Sequence, residues 1–302
     1  MDWQATGIGV GGGAGYVTIS HNHIHHMPYS CVQTGASKIR EYKFVRANPD
    51  SPRARGYRLD EIGDTPLTVE AVKRFTAGHV VMEYNYCHDF MLRLDDGGAL
   101  YAHATHHTVM RGNLLARAGR PNAFGLYYDD EELDSVMEGN IVARCPSPGK
   151  GGGSALHLHD NARITVRHNI FAFSHRLCSV PNSYGGIRLT ENIFLFSGGC
   201  LPGPEPKTVR GPGDGRRQPD WDAGPSTMDR NLYWSADQPD AARAFLAAWQ
   251  AKGWDAHSAV ADPRFADAAN LDFTLPADSP ALKLGFQALE LTDVGPRKEW
   301  RE

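Results

Sequence analysis

Short runs of β-branched and aromatic residues recur along most of the chain, two or three to a unit, each broken by glycine, asparagine or proline. No helix-length amphipathic run lies between them, so the pattern predicts strands and turns. Seven segments share one arrangement: Val17-Thr-Ile-Ser-His-Asn22, Val80-Val-Met-Glu-Tyr-Asn85, Thr108-Val-Met-Arg-Gly-Asn113, Ser135-Val-Met-Glu-Gly-Asn140, Ile164-Thr-Val-Arg-His-Asn169, Ile187-Arg-Leu-Thr-Glu-Asn192 and Ser226-Thr-Met-Asp-Arg-Asn231. From Asn85 to Asn192 the asparagines stand 28, 27, 29 and 23 residues apart. A period in the twenties built from strands predicts a parallel β-solenoid, whose coils pair about 4.8 Å apart and stack equivalent positions into ladders. Asparagine suits a ladder because it tolerates the left-handed turn conformation and hydrogen-bonds its neighbour. Glu83, Arg111, Glu138 and Arg167, each two residues before an asparagine, alternate in sign, as a stacked position requires.

Aligning the strands that follow glycine-rich turns pairs Ala99–Ala104 with Gly125–Asp130 and Ala155–Asp160. Alternation sends Leu100, Leu126 and Leu156 inward, with Ala102, Tyr128 and Leu158. Two columns then face outward, Tyr101–Tyr127–His157 and His103–Asp129–His159, and Asp130 and Asp160 form a third at the strand ends, with Glu131 and Glu132 next in sequence. A solvated face ordinarily carries threonine, serine, lysine or asparagine, so these columns are the candidate site.

The repeat occupies residues 1–235 with insertions near 36–78 and 198–225, and 236–302 forms a C-terminal segment. The first insertion is charged and proline-rich and predicts a short helix at Thr68–Phe75. The second, Gly198–Pro225, reads as a loop over one edge. Pro239–Lys252 predicts a helix capped by Asp237, with Phe245, Leu246 and Trp249 on its apolar face. This helix and the strands and turns after it are expected to close the C-terminal end and pack back along the solenoid. The first coil begins abruptly, so earlier coils, a partner or a loop are expected to cover its edge. Gly7-Ile-Gly-Val-Gly-Gly12 matches a dinucleotide fingerprint but leads into a strand, not a helix, which excludes that reading.

Composition narrows the function classes. A net charge of −4, without a Lys/Arg-rich run, argues against a nucleic-acid partner. No stretch approaches the 18 apolar residues of a membrane span, and Met1-Asp-Trp-Gln4 has no secretory pattern. Five scattered cysteines without a CxxC pair read as free thiols.

Chemistry at the columns divides three ways. Carboxylates flanked by tyrosines suit glycoside hydrolysis, one acid protonating the leaving oxygen while the other activates water or attacks. His103, Asp129 and His159 also form a set suited to a divalent metal. Asp130, Glu131, Glu132 and Asp160 suit calcium, as a lyase or epimerase on an anionic glycan requires. Against all three stands ladder packing without chemistry. Asp96, in the Asp-Gly-Gly turn, aligns with Asn122, roughly 20 Å from Asp129 along a straight strand; it partners Asp129 only if Gly97-Gly98 bend the chain. Separately, alternation places His21, His23 and His25 of the run His21–His26 on one face, as ladder packing or a metal site.

The runs His21-Asn-His-Ile-His-His26, Asp96-Gly-Gly-Ala-Leu-Tyr101, Gly125-Leu-Tyr-Tyr-Asp-Asp130 and Asp229-Arg-Asn-Leu-Tyr-Trp234 resemble right-handed parallel β-helix enzymes of the glycoside hydrolase family 141 type, as does the tail through Asp278-Ser-Pro-Ala-Leu-Lys-Leu-Gly-Phe286. The resemblance covers most of the chain outside the insertions. It implies an all-β right-handed parallel β-helix with a C-terminal helix-plus-strand cap, acting on a plant or algal glycan as α-L-fucosidases or xylanases do. It carries over Asp96 and Asp129 or Asp130 as catalytic positions. His159 joins them from the columns, with Tyr101, His103, Tyr127, His157 and Asp160 binding substrate. The expected partner is an oligo- or polysaccharide and the expected location extracellular or periplasmic. No cofactor is implied, although the acidic turn admits a divalent cation such as calcium. The chain departs from the family in lacking its long N-terminal part and in the histidine-rich run Ala102-His-Ala-Thr-His-His107.

Overall fold

The computed structural model describes residues 5–11, 14–35, 39–56, 73, 77–145, 152–174, 176–196 and 225–297. The fold is mostly β, built from three parallel sheets of six, seven and eight strands. The chain visits the sheets in rotation, so each circuit adds one strand to each. In the six-stranded sheet Ile8–Val10, Val32–Gly35, Gly97–His103, Ala123–Asp129, Ser154–Ala162 and Cys178–Gly185 follow one another. The predicted helix at Thr68–Phe75 and the loop at Gly198–Pro225 lie outside the described residues, Lys73 and Pro225 apart. Within the first insertion a helix spans Ile39–Ala47.

Alternation decides what fills the interior. Across the seven-stranded sheet Ile19, Met82, Met110, Met137, Val166, Leu189 and Met228 stand in register. Across the eight-stranded sheet the inward column is Ile24, Cys87, Leu115, Val142, Phe171, Phe194 and Tyr233, its last three rings stacked 5.3 and 5.2 Å apart. Leu100, Leu126 and Leu156 supply the third wall and are fully buried. Each such side chain contributes roughly 1.5–3 kcal/mol on burial, and it is buried only because neighbouring circuits stack on it.

The asparagines occupy one corner as a continuous ladder. Asn85 Nδ2 donates to Asn113 Oδ1 at 3.0 Å, Asn113 to Asn140 at 2.8 Å and Asn140 to Asn169 at 2.9 Å. Each also donates to a backbone carbonyl in a strand of the preceding circuit, as Asn140 Nδ2 does to Met110 at 2.8 Å. The left-handed residue is not the asparagine itself but the one before it: His21, Tyr84, Gly112, Gly139, His168, Glu191 and Arg230 all have φ between 52° and 65°. The asparagine therefore serves by its amide, and the expectation that it takes the strained conformation is corrected. After Asn231 the ladder ends on Asp255, whose Oδ1 accepts from Asn231 Nδ2 at 2.8 Å and whose Oδ2 accepts from Tyr233 at 2.9 Å. Outside, Arg111 pairs with Glu83 and Arg167 with Glu138, each at 2.7 Å.

The helix Pro239–Gln250 packs Leu246 and Trp249 inward. Its N-cap is Gln238, and Asp237 instead accepts from Ser235 Oγ at 2.7 Å, so Asp237 does not cap. Beyond it the strand Ala259–Val260 joins the eight-stranded sheet. The tail then covers that sheet's outer face, Phe273, Ala281 and Phe286 packing on Ile141, Ile170, Ile193 and Leu232. It reaches the first circuit, where His21 Nδ1 meets the Asp293 carbonyl at 2.8 Å.

Candidate functional site

Register sets the site. Tyr101 pairs with Tyr127, and Tyr127 with His157; His103 pairs with Asp129. The side chains on the outer face of these strands are not solvated as expected: Tyr101, Tyr127, Asp129, His157 and Asp160 are all buried. Two residues that alternation alone does not reveal adjoin the site. Phe124 stacks on His157 at 4.2 Å and packs on Tyr127. Tyr29, from the preceding circuit, donates its hydroxyl to the Asp96 carbonyl at 2.7 Å. Its ring lies where a Cβ on Gly97 would stand, 2.5 Å away, so only glycine fits there. The one signal for Tyr29 in the sequence is that glycine pair, small residues opposite a large one.

Asp129 is the best-connected member. Its Oδ2 accepts from the Tyr101 hydroxyl at 2.8 Å, and its Oδ1 lies 2.9 Å from His159 Nδ1. Burial pushes its pKa up, but hydrogen bonds from His159 and Tyr101 and the charges of His103 and His159 outweigh burial and hold it below the usual carboxylate value. Asp129 is thus an anion at neutral pH in a largely dry setting. The surrounding phenols respond oppositely. Burial, and then the Asp129 charge, pushes Tyr101 and Tyr127 well above the ordinary phenol value, so both stay protonated donors. His157 is neutral, its pKa lowered to about 3 by burial and by neighbouring His159.

Asp130 owes its place to an irregularity. Tyr101 pairs with Tyr127, and His106 bridges Leu133; Tyr127 pairs with His157, and Leu133 bridges Ala162. The middle circuit therefore holds one residue more than its neighbours between these points. The left-handed residues Ala104, Glu131 and Asp160 mark the equivalent turn in each circuit, and Glu131 N donates to Asp160 O at 2.8 Å. Asp160 nonetheless stays beside Asp130, as the third column expects: ligand atoms of Asp130, His159 and Asp160 lie within 4.8 Å of one another. The insertion leaves Asp130 beside Asp129, with its Oδ1 3.3 Å from His159 Nδ1 and its Oδ2 3.9 Å from His103 Nε2. Glu132 turns into the corner, fully buried, and accepts from Thr105 N at 3.0 Å and Ser135 Oγ at 2.6 Å. It is structural.

Two overlapping donor sets result. One ligand atom each from His103, Asp129 and Asp130, and again from Asp130, His159 and Asp160, lie within 4.8 Å of one another. The chemistry of these donors fits a divalent cation as well as it fits proton transfer. His157 Nδ1 and Asp160 Oδ1 are buried without a hydrogen-bond partner among the described residues.

Asp96 stands at the edge of this group. It has a left-handed φ of 60° at the turn that enters the strand Gly97–His103. Its charge raises Tyr29, Tyr101 and Tyr127, the same three phenols that Asp129 raises. Asp96 thus stands close enough to act by charge on the tyrosines that Asp129 also reaches. The histidine run separates: His21 is buried against Tyr84, whereas His23 and His25 are exposed, His23 Nε2 lying 2.7 Å from His88 Nε2. His21 therefore does not share a face with the other two.

No protein-family model matches the chain, and no curated protein matches it either.

Proposed function

We propose that the chain is a right-handed parallel β-helix glycoside hydrolase that cleaves a plant or algal glycan at the outer face of the six-stranded sheet. The observation that carries this reading is Asp129, a buried carboxylate kept ionised by Tyr101 and His159 directly beside a second carboxylate, Asp130. In this reading Asp129 attacks or activates water, and Asp130, sharing His159 with it, delivers the proton to the leaving oxygen. An oxygen of Asp129 and one of Asp130 lie within 4.8 Å, at the short end of the range. Such spacing favours the retaining mechanism, which needs about 5–5.5 Å, over inversion at about 6.5–9.5 Å. Tyr101 and Tyr127 are covered and serve Asp129, whereas the partly exposed rings of His103 and His159 are the ones that face a bound sugar. Asp96, at the far end of the tyrosine group, extends the subsite.

The test is turnover of a glycan panel by Asp129→Asn and Asp130→Asn. A fall of about 100-fold or more in each is expected; full activity in both removes these residues from the mechanism. The overlapping donor sets favour one second reading, a cation-dependent lyase or epimerase. An unsaturated, UV-absorbing product lost on EDTA treatment selects it.

A further inference from the structure

A second cluster lies at the corner joining the six- and seven-stranded sheets. Here Gly15, Gly78, His106, Leu133 and Ala162 bridge from circuit to circuit. The residues that follow them, Tyr16, His79, His107, Asp134 and Arg163, all take left-handed φ between 52° and 58° and project as a second ladder. This placement sets His79 directly beside His107: the rings stack at 4.8 Å with 14° between planes. His106 crosses both edge-on, at 5.5 Å from His79 and 5.1 Å from His107. One ring nitrogen from each of the three lies within 4.8 Å of the others.

We propose that His79, His106 and His107 form a binding site for a divalent transition-metal ion of the zinc type. Three features argue for a built site. First, His106 lies directly over the Gly78 backbone, where a Cβ would stand 2.3 Å from its ring; its position depends on that glycine. Second, His106 Nε2 lies 3.0 Å from the Lys73 carbonyl. A carbonyl only accepts, so Nε2 carries the proton and the lone pair sits on Nδ1. That is the arrangement in which a ligating histidine is oriented by a backbone oxygen behind it. Third, Nδ1 is aimed at the cluster, 2.9 Å from His107 Nδ1. Tetrahedral zinc with bonds of about 2.0–2.1 Å takes imidazole nitrogens a little over 3 Å apart, so a small ring rotation admits the ion.

The donor set decides the metal class. Asp134, the nearest acid on the ladder, is held by Lys73 and Arg163, which leaves imidazoles alone. An all-nitrogen site prefers zinc, nickel or copper to calcium or magnesium. Tyr16 stacks on His79 at 4.6 Å and steadies its ring. With three protein ligands the fourth position stays open to water, and the ion ties the Lys73 segment of the first insertion to the solenoid through His106.

The experiment is zinc titration of the chelator-stripped full chain against a chromophoric chelator. His107→Ala and His79→Ala, both at partly or fully exposed positions, are each expected to lose one zinc equivalent while keeping the wild-type circular dichroism. Gly78→Ala should retain the site with affinity lowered about tenfold or more, the size of effect seen when a ligand's support is disturbed. The His23→Ala/His88→Ala double variant and Asp129→Asn should keep that equivalent, which separates this site from the other histidines and carboxylates. Unchanged stoichiometry and affinity in both His79→Ala and His107→Ala, or no zinc uptake by the wild-type chain, would overturn the proposal.

Discussion

Two ladders of this molecule obey opposite rules. In the asparagine corner one residue type repeats through seven circuits, and each member is satisfied by the next: Asn140 alone takes part in four side-chain bonds, two donated and two accepted. In the outer columns of the six-stranded sheet the residue type varies, from tyrosine to histidine after Tyr127 and from histidine to aspartate and back. There the repeat is broken by one extra residue, and two buried polar atoms lack a partner. Uniformity goes with stability because a stacked amide is its own best neighbour. Departure from uniformity sacrifices stability, and it falls where an ionised carboxylate, protonated phenols and imidazoles converge.

The contrast is broken most severely by Asn140→Ala. It removes four buried hydrogen bonds, so a loss of about 4 kcal/mol is expected, read as a drop in the urea midpoint. Next comes acid. His157 has a folded pKa near 3 against roughly 6.5 unfolded. Protonation therefore favours the unfolded chain, and the stability His157 lends is complete above about pH 6.5 and lost progressively as pH falls toward 3. Between pH 7 and pH 4 this amounts to about 3 kcal/mol. In His157→Phe, denaturation curves at the two pH values should lie closer together by that margin; an unchanged gap refutes the assignment. Asp129, whose folded pKa is depressed, acts in a lower window, its contribution being lost only below about pH 4.

Deleting Asp130 sharpens the comparison from the other side. It restores the middle circuit to the length of its neighbours, so the fold should survive with a Tm within about 5 °C of wild type, while turnover falls about 100-fold. Collapse of the fold would show that the extra residue is structural. The smallest effect belongs to Arg111→Ala. Its partner Glu83 lies at 2.7 Å, yet an exposed pair of this kind is worth about 0.5 kcal/mol, less at high salt.

The sequence by itself determined the repeat, the inward column of leucines, the two outward columns and the alternating charges, because each depends on a short period that any circuit states for itself. Spacing between Asn85 and Asn192 and the alternation around Leu126 needed no partner to be legible. Only the tertiary structure decided where the outer residues stand in depth and in register. Tyr29, far away in sequence, reaches the Asp96 turn because Gly97 lacks a Cβ, and Tyr101 is buried with Phe124 and Tyr127. The extra residue between Tyr127 and Leu133 follows from pairings on both sides of the turn. A single extra residue is invisible to a period that already varies, whereas backbone hydrogen bonds between circuits register it without ambiguity. His79 joins His106 and His107 for the same reason: proximity across circuits is set by where the strands pair, which local pattern alone does not encode.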